Sequence, residues 1–121
     1  MKHTLALVLM VFGIVGCSNN YFYKPYSYWN MFGYTETQLG DNEFRVSYAP
    51  TQAMSNAQAV DLNLLRSAEI TLNNASEWFE IIGSPSTEHV IKIYKDKPNN
   101  SAYNAQFLKE SLERKLGMKL K

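Results

Sequence analysis

Between residues 56 and 75, Ala57, Val60, Leu64, Leu65, Ala68, Leu72 and Ala75 recur at helical spacing, the tightest constraint on the fold anywhere in the chain. At about 1.5 Å per residue such a helix is about 30 Å long, nearly the width of a small domain. Ser55 or Thr51 can cap its start, and Asn73-Asn74 can end it. A helix with one apolar stripe needs a surface to lie on, and the flanking segments have strand character. "FRVSYA" puts Phe44, Val46 and Tyr48 on one side, "YTETQL" alternates more weakly, and Gly40-Asp41-Asn42 between them is turn chemistry, so a hairpin or a bent pair of strands is expected. "EWFEII" (77–82) and "EHVIKIY" (88–94) alternate at period two and are joined by Gly83-Ser84-Pro85-Ser86, so a second antiparallel hairpin is expected. A final helix begins near Asn104, with Ala105, Leu108, Leu112 and Leu116 as its stripe and Gly117 as its stop. The order β-β-α-β-β-α predicts an α+β fold: a small, mostly antiparallel sheet with two helices on one face, in a single domain over 33–121.

The N-terminus follows a different logic. A basic head, Met1-Lys2-His3, precedes an uncharged apolar run over 5–16. That run is too short for a membrane-spanning helix, which needs about 20 residues, but it suits the centre of a secretory signal peptide. It ends in Ile14-Val15-Gly16-Cys17, which resembles the lipobox of bacterial lipoproteins. The thiolate is a strong nucleophile and can take a diacylglyceryl group as a thioether. The small Gly16 lets a signal peptidase reach the following bond, so cleavage between Gly16 and Cys17 would leave acylated Cys17 as the first mature residue. The bland alternative is a spare cysteine in an ordinary signal peptide. Cys17 is the only cysteine of the chain, so no intramolecular disulfide can form in an oxidising compartment. Lipid burial contributes about 0.8 kcal/mol per CH₂, and two or three chains hold far better than one. Ser18 after the cysteine is compatible with sorting to the outer membrane, periplasmic side; an Asp there would imply the inner membrane. That inference is what the lipoprotein resemblance implies.

Removing residues 1–16 of 121 leaves 105, one domain's worth, and enough to bury a core without disulfides. Without Lys2, 11 basic residues face 11 acidic ones, a balance that argues against a nucleic-acid partner. The C-terminal stretch is locally basic, with Lys109, Arg114, Lys115, Lys119 and Lys121 against Glu110 and Glu113; it reads as a solvated helix face, or as a contact for anionic lipid or glycan. Residues 17–32 read as acylated Cys17 followed by an aromatic-rich tether: eight of the chain's 16 aromatic residues fall between Tyr21 and Tyr34, interrupted by Pro25 and without a period. Either these Tyr and Trp rings rest in the headgroup zone, or several pack onto the domain.

Read together, Gly33-Tyr34-Thr35-Glu36, Phe44-Arg45-Val46 and the helix motif Leu64-Leu65-Arg66-Ser67-Ala68-Glu69-Ile70-Thr71-Leu72 resemble the signature of a family of small, uncharacterised proteobacterial lipoproteins. "AYNA" (102–105) resembles a further motif before the terminal helix. Members often carry a long Gly- and Tyr-rich insertion between the last two strands; here Ser84-Pro85-Ser86 closes that position tightly, so no function housed there transfers. The resemblance implies a fold and a location rather than a chemistry.

No phosphate-binding glycine loop or nucleophile elbow is present. His3 lies in the signal segment, and His89 has no second histidine within ligand spacing, so a structural role is expected over a metal site. No catalytic residue, metal or other cofactor is assigned. The charged group of most interest is Arg66 with Glu69, three apart on the long helix, to which a carboxylate such as Glu36 could add a two-pronged hydrogen bond. It is either a framework ion pair or an anion-binding site. Asp61 is expected to pair with a cation or to cap backbone near the helix start. The expected function is a non-enzymatic binding or structural envelope protein, held to the membrane by its lipid and partnered by an envelope protein or cell-wall component. The alternative is a small anion-binding or hydrolytic enzyme using Arg66 with Glu36 or Glu69.

Overall fold

Five strands and two helices arise in the computed structural model, which describes residues 21–118. Gly16, Cys17, Ser18, Lys119 and Lys121 lie outside the described residues. Strands β1 (Gly33–Gly40) and β2 (Glu43–Ala49) form the first hairpin, followed by helix α1 (Asn56–Asn73). Strands β3 (Trp78–Ile82) and β4 (Glu88–Tyr94) form the second hairpin; a two-residue β5 (Tyr103–Asn104) then leads directly into helix α2 (Ala105–Lys115). The α+β class and the hairpins agree with the sequence reading, while β5 is an addition to it. Trp78 pairs with Asn104 and Phe79 with Tyr103, and the Ala105 N–H donates to the Glu77 carbonyl at 2.9 Å. Two residues are too few to show a period, which is why the strand was not visible in the sequence.

The sheet order is β1-β2-β4-β3-β5, and every neighbouring pair is antiparallel. Helix α1 carries the chain across from β2 to β3, and β4 then returns into the gap between them. Phe44 and Val46 of β2, Phe79 of β3, and Ile91 and Ile93 of β4 are buried against Ala68 and Ile70 of α1 and Ala105 of α2. Full burial of each large apolar side chain contributes about 1.5–3 kcal/mol, so this cluster fixes both helices on one face of the sheet. A second cluster joins Tyr48, Ala59 and Leu62 to Tyr23, Tyr34, Met54, Leu116 and Met118.

Both helices have well-made ends. The Ser55 hydroxyl accepts from the Gln58 N–H while the Gln58 side chain accepts from the Ser55 N–H, a reciprocal cap. Asn104 caps α2 by accepting the Phe107 N–H at 2.9 Å. At its other end Gly117, with φ 68°, lets the Met118 N–H reach the Glu113 carbonyl at 2.8 Å. Helix α1 ends at Asn73 with Asn74 as its cap, the stop that the sequence offered, and Ala75 beyond it takes a left-handed φ of 57°.

The buried face of α1 is rotated from the expected stripe. Ala59, Leu62, Asn63, Leu65, Ser67, Ala68, Ile70 and Thr71 are buried, whereas Ala57 and Ala75 are exposed. The centre of that face is a column of polar residues at i, i+4 and i+8: Asn63, Ser67 and Thr71. Two of them bond along the helix, Ser67 Oγ donating to the Asn63 carbonyl and Thr71 Oγ1 to the Ser67 carbonyl, both at 2.9 Å, while Asn63 Oδ1 is buried without a partner. Asn63 Nδ2 donates to the carbonyls of Val46 at 3.0 Å and Ser86 at 2.9 Å, stitching the helix to β2 and to the β3–β4 turn. A hydrophobic count passes over such a column, since its residues are buried through partners and not through apolarity.

Residues 21–32 lie against the domain. The Tyr48 hydroxyl donates to the Phe22 carbonyl at 2.6 Å, and burial pushes its pKa up to about 12. The Tyr34 N–H donates to the Lys24 carbonyl and the Tyr26 N–H to the Tyr34 carbonyl, each at 2.9 Å, a short parallel pairing along the outer edge of β1. Phe32 is buried. The rings therefore divide: Tyr23, Phe32 and Tyr34 pack on the domain, while Tyr28 and Trp29 stand in solvent.

Candidate functional site

The elements converge on Arg66, in the middle of α1. In β1, Tyr34 and Glu36 are two residues apart and share the helix-side face, since they pair with the buried Tyr48 and Val46 of β2. Glu36 thereby reaches Arg66, accepting from Nε at 2.8 Å and lying 2.7 Å from the Nη2 nitrogen. One helical turn on, Glu69 accepts from Nη1 of Arg66 at 3.2 Å. The same Glu69 oxygen accepts the Tyr23 hydroxyl. The Tyr34 ring lies under the guanidinium, 4.1 Å from its central carbon, and Tyr23 packs on Tyr34 with ring centroids 5.0 Å apart. The structure thus brings together the three predicted residues, Arg66, Glu69 and Glu36, and adds two tyrosines.

The electrostatics of the cluster are those of a closed network. Burial alone would lower the Arg66 pKa, but its hydrogen bond to Glu36 and the charge of that carboxylate outweigh this, and the net shift is upward. Burial, reinforced by Glu69, holds the Tyr23 phenol far above its ordinary value, and burial also raises Tyr34. Neither the guanidinium nor either phenol is brought toward neutral pH. Beside it is an open hollow of about 400 Å³, lined by Tyr23, Tyr34, Arg66, Glu69, Leu72 and Lys109, among others. Lys109 is itself engaged, 3.0 Å from Glu113. The cations around the hollow are therefore all paired, and two carboxylates face the single guanidinium.

Asp61 pairs with Lys115 Nζ at 2.9 Å, the cation-pairing arm of the expectation, and ties α1 to α2. Of the basic C-terminal stretch, Lys115 thus links the two helices and Lys109 is engaged by Glu113 within α2. Among the described residues, no group of three or more His, Cys, Asp and Glu could hold a metal ion, and no helix is long and apolar enough to cross a membrane.

His89 and Ser67 meet in the core at 2.8 Å, a pair absent from the sequence reading. They resemble a nucleophile and its base but are arranged differently. The Ser86 N–H donates to His89 Nδ1 at 3.2 Å, so the neutral ring carries its proton on Nε2 and donates it to Ser67. Ser67 in turn gives its own proton to the Asn63 carbonyl. No carboxylate stands behind the ring, and Ser67 is fully buried, so the pair is structural. Burial is the main cause of a lowered His89 pKa. The folded domain therefore binds this proton less readily than the unfolded chain. The stabilisation is complete above the unfolded pKa of about 6.5 and is lost as pH falls from there through the folded value. Urea unfolding at stepped pH should show stability falling below about pH 6.5 by up to about 1.4 kcal/mol per pH unit, with a flatter slope in His89→Gln.

Sequence reasoning missed Tyr23, Tyr34 and Asn63. Strand parity between Tyr34 and Glu36 was an available signal for one, and the i, i+4, i+8 column for another. Nothing local marked Tyr23. No family model, curated protein or solved structure matches the chain.

Proposed function

We propose that this chain is an outer-membrane-anchored periplasmic lipoprotein whose domain acts without catalysis, as a binding or structural part of the cell envelope. The observation that carries the non-enzymatic reading is the commitment of Arg66: each of its three nitrogens meets a carboxylate, Nε and Nη2 that of Glu36 and Nη1 that of Glu69, and its face is covered by Tyr34. An anion-binding or hydrolytic enzyme needs a guanidinium free to meet substrate, or an acid or base with a pKa near working pH. The anchor itself rests on Cys17 directly after the apolar run and on the lipoprotein resemblance. Candidate partners are an envelope protein or a cell-wall component. The half-buried Trp78 and Tyr94 and the exposed Ile82 on the sheet face away from the helices give a protein partner a surface.

Cys17→Ala should release the protein into the soluble periplasmic fraction or block its processing. Unchanged membrane association on fractionation would overturn the anchor. Cross-linking in intact cells, with mass spectrometry of the adducts, should recover a protein or glycan fragment attached to the domain.

A further inference from the structure

We propose that the turn over residues 27–31 lies in the headgroup zone of the same bilayer that holds the acyl chains, with Tyr28, Trp29 and Met31 as its contacts. The proposal rests on acylation of Cys17. Tyr28 and Trp29 are 89% and 96% exposed, the two most exposed large hydrophobics among the described residues, and Met31 is 67% exposed. These side chains are held outward by a turn with its own hydrogen bonds. The Met31 N–H donates to the Ser27 carbonyl at 2.7 Å, and the Asn30 N–H and side-chain amide donate to Ser27 Oγ at 3.2 and 3.0 Å. Met31 takes a left-handed φ of 61° while the next residue, Phe32, is buried beneath the turn. The fold gains nothing by showing Trp, Tyr and Met to water at that place.

Reach decides what covers them. Only three residues lie between Cys17 and Tyr21, so four steps of extended chain span at most about 14 Å. The Tyr21 ring packs on Phe32, with centroids 5.7 Å apart, and Phe32 is three residues from Trp29. An acylated Cys17 therefore confines this turn to the neighbourhood of the membrane surface. Charge agrees: from Cys17 to Thr35 there is no acidic residue, and the single charge is Lys24. Its ammonium sits 4.5 Å from the Tyr21 ring and 4.7 Å from the Phe32 ring, where it can meet anionic headgroups. Trp and Tyr, with an apolar body and a polar tip, are the side chains most at home at that depth.

The chain has two tryptophans, Trp29 and Trp78, so Trp78→Phe isolates the first. The processed protein is placed through its lipid in vesicles of phosphatidylethanolamine and phosphatidylglycerol, with or without lipids brominated just below the carbonyls. Intact mass of the same sample reads Cys17. The expected result is an acylated Cys17, a blue-shifted Trp29 emission and loss of most of that emission to brominated lipid. The reciprocal Trp29→Phe protein, reporting Trp78, should lose little; wild type read against it supplies the same difference if Trp78→Phe does not fold. An acylated protein whose Trp29 emits as in water overturns the proposal and leaves the anchor standing. A blue-shifted but unquenched Trp29, as when a second copy or another protein covers it, overturns it equally. An unmodified Cys17 removes the anchor and the proposal together.

Discussion

Gly33→Ala should destabilise the domain by about 3 kcal/mol or more, the largest loss expected from adding one methyl group to this chain. Gly33 has φ 128°, and a Cβ on it would stand 2.5 Å from the Lys24 carbonyl oxygen, 2.6 Å from the Tyr26 nitrogen and 2.7 Å from the Pro25 carbonyl carbon. These are backbone atoms and cannot rotate away. The unusual φ alone costs about 1–3 kcal/mol in a residue with a Cβ, and the overlap adds to it. The cheapest escape is to separate the 24–26 stretch from β1. That forfeits the two hydrogen bonds of Tyr34 to Lys24 and Tyr26 and loosens the burial of Phe32 and Tyr23. The midpoint of urea unfolding should drop accordingly, and chymotrypsin should cut at Tyr21, Phe22 or Tyr23 far faster than in wild type. A variant with unchanged midpoint and unchanged cleavage would show that the docking of this segment contributes nothing.

Arg66→Ala should cost about 2–3 kcal/mol, because it strands Glu36 and Glu69 without their shared cation. Removing one partner of a fully buried ion pair costs about 3–5 kcal/mol; the figure is reduced here because the Glu36 side chain is 35% exposed, and water can take over part of its solvation. The Tyr34 ring also loses the guanidinium that covers it. A framework role has a second signature. Glu36→Gln with Glu69→Gln in the same Arg66→Ala chain should recover a good part of the loss, since no stranded charge remains. Thermal melts of the single and combined variants make the comparison. If Arg66→Ala melts with wild type, the guanidinium is not framework, and the anion-binding alternative gains the ground that the non-enzymatic reading loses.

Much of the candidate site was legible because it is local. Arg66 and Glu69 are one helical turn apart, so their pairing follows from helix geometry, and the cation sought for Asp61 was met by Lys115. Glu36 could be named as a partner but not placed, since its position opposite α1 depends on β1 pairing with β2 in one register out of several. Tyr23 was out of reach: 46 residues separate it from Glu69, and nothing between them signals the contact.

The amino-acid sequence by itself determined the helices and their caps, both hairpins and the α+β class, because periodicity, capping chemistry and turn residues act over a few neighbouring positions. It also places the cysteine where an acyl anchor belongs. Only the tertiary structure decided that β4 inserts between β2 and β3, that Asn63, Ser67 and Thr71 are buried beside Leu65 and Ala68 of the apolar stripe, and that the aromatic segment lies on the domain with Trp29 turned outward. Those outcomes depend on which distant surfaces fit and which buried polar groups find partners. Both are properties of the assembled core that no short stretch of chain carries.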